Sequence, residues 1–92
     1  MASKIEVEKV DATHFLVRVT ERGNTTAHHV TLDLKDHAKL TGEKASPEEL
    51  IRKSFEFLLE REPKESILTR FDLPVIGRYF PEYEREIKKR LA

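Results

Sequence analysis

The sequence predicts an α+β fold: a three-stranded antiparallel β-meander followed by a central amphipathic helix and a C-terminal helical segment. Three observations predict it. Residues 4–10 and 13–34 alternate apolar and polar side chains and are rich in Val, Thr, Phe and Ile, the pattern of half-buried strands. Ser46-Pro47-Glu48-Glu49 introduces an apolar run in the way a helix N-terminus does. Further on, Ile76, Phe80, Tyr83 and Ile87 recur at the spacing of one helical face.

The strands are expected at about 4–10, 14–21 and 26–34. Between the second and third lies Arg22-Gly23-Asn24-Thr25. Gly23-Asn24 as a two-residue loop suits a primed hairpin turn, because both residues tolerate positive φ. Counting outward from that loop pairs Val17 with Val30, Val19 with His28 and Phe15 with Leu32, all on one face. The opposite face then receives Arg18 with His29, Leu16 with Thr31, and His14 with Asp33. The first strand joins through a three-residue loop, Asp11-Ala12-Thr13, which sets Val7 against Val17 and Ile5 against Val19. That register also predicts an ion pair between Glu6 and Arg18.

A short helix is expected over 36–41, capped by Asp36 and ended by Gly42. The central helix is expected from about 47 to 61, with Ser46 as its N-cap. Leu50, Ile51, Phe55, Phe57, Leu58 and Leu59 spread over roughly 200° of its circumference at 100° per residue. One sheet does not cover so wide a band. Pro63 closes this helix, residues 64–71 are read as a short helical segment, and Leu73-Pro74 interrupts it. The helical tail runs from about 74 to 91, split at Pro81. Its early glutamates and its late Lys88-Lys89-Arg90 complement the helix dipole.

The chain has 92 residues, 38% hydrophobic and 37% charged, and this reads as a single domain over 1–92. Lys and Arg number 17 and so do Asp and Glu, so no net field steers it toward nucleic acid or an anionic membrane. There is no Cys, which removes disulfides, thiolate metal sites and a thiol nucleophile and fits a reducing compartment. No apolar run resembles a signal peptide or a membrane span, and a cytoplasmic location is expected.

The stretch SPEELIRKSFEFLLEREPKESILTRFDLPVIGRYFPEYEREI, residues 46–87, resembles the hallmark region of a group of small hypothetical prokaryotic proteins. The resemblance implies a recurring domain and brings no catalytic residues with it. A looser one is to ribbon-helix-helix repressors, with residues 29–34 as the ribbon and residues 46–52 opening the second helix. Three features depart from that pattern: the interval for the first helix is about a turn short, the strand is committed to a hairpin, and Asp33 faces outward where phosphates would lie.

Few residues form a chemical constellation. His28 and His29 are adjacent on a strand and point to opposite faces, so they do not chelate one ion, and a stable site needs three or four converging ligands. Ser46 is used as a cap, no nucleophile elbow surrounds Ser54 or Ser66, and no glycine cluster cradles phosphate. The glutamates pair with bases at helical spacing, such as Arg52 with Glu56. No catalytic residue, metal or cofactor is assigned, and the chain is not read as an enzyme. The surplus of apolar surface on the central helix and tail points instead to a protein-interaction module. A homodimer is expected, with Phe57, Leu59, Ile76, Tyr79, Phe80 and Tyr83 as the interaction residues and a further protein partner of unspecified identity. The runner-up is a DNA-binding regulator or antitoxin-like protein of ribbon-helix-helix type. The third reading is an enzyme that takes a ligand into a dimer cleft.

Overall fold

The computed structural model of the chain describes residues 3–42 and 44–91. In order these are β1 (Lys4–Lys9), β2 (His14–Glu21), β3 (Asn24–Thr31), α1 (Leu34–Thr41), α2 (Pro47–Leu59), β4 (Arg70–Asp72), α3 (Ile76–Tyr79) and α4 (Tyr83–Leu91). Single 3-10 turns at Lys64–Ser66 and Leu73–Val75 flank β4. The class is α+β, with a four-stranded mixed sheet in the order β1-β2-β3-β4.

The first hairpin has the expected register, Val7 opposite Val17 and Ile5 opposite Val19. Its loop is tied by Asp11, whose carboxylate accepts from the backbone N–H of Thr13 at 3.0 Å and of His14 at 2.9 Å. The second hairpin is displaced by two residues from expectation. Val17 faces His28 rather than Val30, Phe15 faces Val30 rather than Leu32, and Val19 faces Thr26 rather than His28. The turn residues are Arg22 and Gly23, with φ of 53° and 82°, not Gly23 and Asn24. Primed turns of this kind place glycine second, as in Asn-Gly, and the first position tolerates a left-handed non-glycine residue. A slip of two keeps every side chain on its own face, so alternation alone did not distinguish the registers. Two side-chain pairings also differ from expectation, although Glu6 remains opposite Arg18 in the first hairpin. Arg18 bonds Glu8 at 3.1 Å rather than Glu6, and His14 bonds Asp11 at 2.8 Å rather than Asp33.

The fourth strand corrects the three-stranded expectation. Arg70 and Phe71, read from the sequence as the end of a short helix over 64–71, pair with Asp72 parallel to β3, with Phe71 beside Val30. Parallel neighbours need a long crossover, and α1 with α2 supplies it. β3 stops at Thr31, short of 34, because α1 begins at Leu34, two residues earlier than expected. Asp33, not Asp36, occupies the N-cap position, without a side-chain cap bond. Gly42 ends α1 at φ 61°, its N–H on the Ala38 carbonyl at 2.7 Å.

Helix α2 starts as predicted, with Ser46 Oγ accepting from the Glu49 N–H at 3.1 Å and Pro47 in the first turn, and it ends at Leu59 instead of 61. Arg52 does not pair with Glu56; its guanidinium donates to the Ile5 carbonyl at 2.7 Å, on the edge strand, while Glu56 meets Lys53 at 3.6 Å. The apolar band of α2 is buried in two directions. Phe55 faces the sheet side, its ring 5.4 Å from His28 and 6.1 Å from Phe71. Phe57, about 200° round the helix, faces the tail, its ring 5.9 Å from Phe80 and 5.5 Å from Tyr83. The tail is split before Pro81 as expected, and α4 packs on α2 within the same chain through Tyr83 and Ile87, both fully buried. No helix among the described residues is long and apolar enough to cross a membrane.

Candidate functional site

Where α2 ends, the chain must reverse to reach β4, and that reversal builds a groove. Pro63 leads into the 3-10 turn Lys64–Ser66, in which the Lys64 stem is buried and its ammonium pairs with Glu65. The turn points Ile67 inward and leaves Leu68 outside. After β4, the Leu73–Val75 turn carries the chain into α3, which faces Ile67 and Leu68 across a space of about 210 Å³. Leu58, Ile67, Phe71 and Ile76 form its buried floor, and Val75 and Phe80 its half-buried walls. On the rim stand Leu68, 46% exposed, and Tyr79, 66% exposed, two of the four large apolar side chains exposed among the described residues. The polar lining consists of Glu62 and Ser66.

The groove is braced from behind. His28, buried under Phe55, holds the Leu68 carbonyl through Nδ1 at 2.8 Å, and its Nε2 lies 2.9 Å from the Thr26 hydroxyl. A carbonyl only accepts, so Nδ1 carries the hydrogen. His29 N–H donates to the Thr69 carbonyl at 2.7 Å, fixing the next peptide of the same wall. The opposite wall is held where α4 meets α2. Arg61 sits 3.6 Å above the Phe57 ring and bonds Glu82 at 3.2 Å, while Arg90 bonds Glu60 at 2.6 Å. The Arg90 guanidinium holds the Glu60 carboxyl below its ordinary value.

Of the six residues named from the sequence as an interaction surface, Ile76, Tyr79 and Phe80 line this groove. Phe57 and Tyr83 are fully buried in the chain's own core, and Leu59 packs against that core, half-buried. The sequence reading passed over Glu62, Ile67, Leu68 and Phe71. The apolar pair Ile67-Leu68 just after Pro63 was the available signal, hidden by the helical assignment of 64–71.

Other constellations are less organised. A cleft by Asp33, Asp36, Asp72 and Arg78 mixes both signs, and Asp72 already takes the Thr31 hydroxyl. A second, at the hairpin tip, sets Lys4, Arg22 and Lys64 beside Glu21 and Glu65. Among the described residues no three His, Asp or Glu converge as metal ligands. In the basic triplet, Lys89 meets Glu86 at 3.9 Å and Arg90 is taken by Glu60. Residues 29–31, the start of the supposed ribbon, are bonded to β2 on one side and β4 on the other. Such a strand has no edge left to pair with a second copy in a DNA-binding ribbon. No family model, curated protein or solved structure matches the chain.

Proposed function

We propose that the protein is a non-enzymatic interaction module that docks a short segment of another protein by taking one large apolar side chain into the groove between Ile67-Leu68 and α3. The observation that carries this reading is the adjacency of exposed Leu68 and Tyr79 over a floor of buried aliphatic and aromatic groups. Exposed apolar side chains standing singly need no explanation, whereas two on the rim of a preformed apolar groove mark a contact surface. Size supports a side chain rather than a drug-sized substrate. A cavity of about 150 Å³ holds benzene, and sites for whole small molecules begin near about 300 Å³. At about 210 Å³ the groove suits a Leu, Met or Phe side chain with part of its neighbour.

The case for a homodimer rested on apolar surface that the tail now covers in cis. Its remaining support among the described residues is four exposed large apolar side chains, Val10, Leu34, Leu68 and Tyr79, of which Leu68 and Tyr79 share the groove rim. A stable dimer buries about 800 Å² on each partner, far more than such a patch supplies. Panning a random linear peptide display library on the protein and on Tyr79→Glu tests the reading. The expected result is enrichment of a large aliphatic or aromatic residue on the native protein and its loss on the variant. No enrichment, or enrichment undiminished by Tyr79→Glu, would overturn the reading.

A further inference from the structure

We infer that the docked segment carries a Lys or Arg within one or two residues of the apolar side chain it inserts, and that Glu62 reads this cation; the inference rests on the groove being the docking site. Glu62 is the sole charged group lining the groove among the described residues. It is half-buried and has no ion-pair or side-chain hydrogen-bond partner there. Its neighbours are all committed: Glu60 to Arg61 and Arg90, Glu65 to Lys64, and Glu82 across the helix pair to Arg61. At the edge of an apolar floor this carboxylate has no base of its own chain to pair with among the described residues. A cation arriving with the partner supplies that pairing, and the closing groove shields the pair from solvent. The same carboxylate repels an acidic segment, so it selects as well as attracts.

A second copy of the chain does not fit as well. Among the described residues outside the groove, its exposed large apolar side chains beside a base are Val10, next to Lys9, and Leu34, next to Lys35 at the start of α1. A single side chain without a surrounding patch falls short of what holds two folded domains together.

The test uses three blocked hexapeptides that differ at one position, Gly-Ser-Phe-Lys-Ser-Gly and its counterparts with Glu or Gln in place of Lys. They are titrated into the native protein and into Glu62→Gln and Glu62→Lys by nuclear magnetic resonance. Glu62 makes no ion pair or side-chain hydrogen bond among the described residues, and unchanged amide spectra of both variants check that they keep the fold. The native protein should bind the Lys peptide about fivefold more tightly than the Glu peptide, as one rim ion pair provides. Glu62→Gln should abolish that preference and Glu62→Lys reverse it. Equal binding of all three peptides at the groove would overturn the charge rule while leaving the groove as a docking site. A preference for Lys that survives Glu62→Gln would also overturn it. No perturbation at the groove with any peptide would remove both the rule and the site beneath it. Concentration-dependent dimerisation abolished by Leu34→Ser or Val10→Ser would make a second copy the occupant and overturn the reading in which the segment comes from another protein.

Discussion

Tyr83 holds α4 to α2 through a relay of two hydrogen bonds inside the core. Ser54 has one proton and donates it to the Leu50 carbonyl at 2.7 Å, so the bond of 2.7 Å between Ser54 and Tyr83 has the phenol as its donor. The two ends of the relay are therefore unequal. Tyr83→Phe removes the donor and leaves Ser54 bonded to Leu50, a loss of about 1 kcal/mol, whereas Ser54→Ala strands a buried O–H and costs about 1–3 kcal/mol. Urea unfolding of both variants should show Ser54→Ala as the more destabilised. Burial also pushes the Tyr83 phenol above its ordinary value of 10.0. The folded chain thus holds this proton more tightly than the unfolded chain does. The stability contributed is complete below about pH 10 and falls as pH rises further, so Tyr83→Phe should flatten the alkaline loss of the urea midpoint. In the sequence Ser54 is one more polar position in a helix, and nothing in its spacing to Tyr83 announces the pairing.

At the level of elements, local chemistry was legible and long-range choice was not. The cap at Ser46 is written in four consecutive residues, and Ser46→Ala should lower stability by about 1 kcal/mol in thermal or urea unfolding. The Asp11-Ala12-Thr13 loop, the stop at Gly42 and the break before Pro81 were readable for the same reason, since each depends on backbone preferences of adjacent residues. The hairpin register was not, because a two-residue slip leaves the facial pattern of Val17, Val19 and Val30 intact. Nor was β4. Three residues are too few to display a period, and a parallel strand is defined by a partner far away in sequence, as Val30 is from Phe71. The candidate site shared that fate. On its α3 side Ile76 and Phe80 lay on a readable helical stripe and Tyr79 was named beside them, whereas its Ile67-Leu68 side exists only because His28 and His29 capture the chain on its way to β4.

For the whole molecule, α2 is the middle of the structure, with the sheet against Phe55 and the C-terminal segment against Phe57. This arrangement covers the wide apolar band from which a homodimer was expected, and it leaves an apolar groove at the seam between the tail and the returning chain. The central claim is that this groove accepts one large apolar side chain. The most direct measurement is a methyl-resolved titration of the protein with N-acetyl-phenylalaninamide, which presents that side chain with no other feature. The account predicts saturable shifts at Leu58, Ile67, Leu68 and Ile76 and none at Leu16 on the outer face of the sheet. Shifts centred on Leu16, or an unchanged spectrum at millimolar ligand, would contradict it.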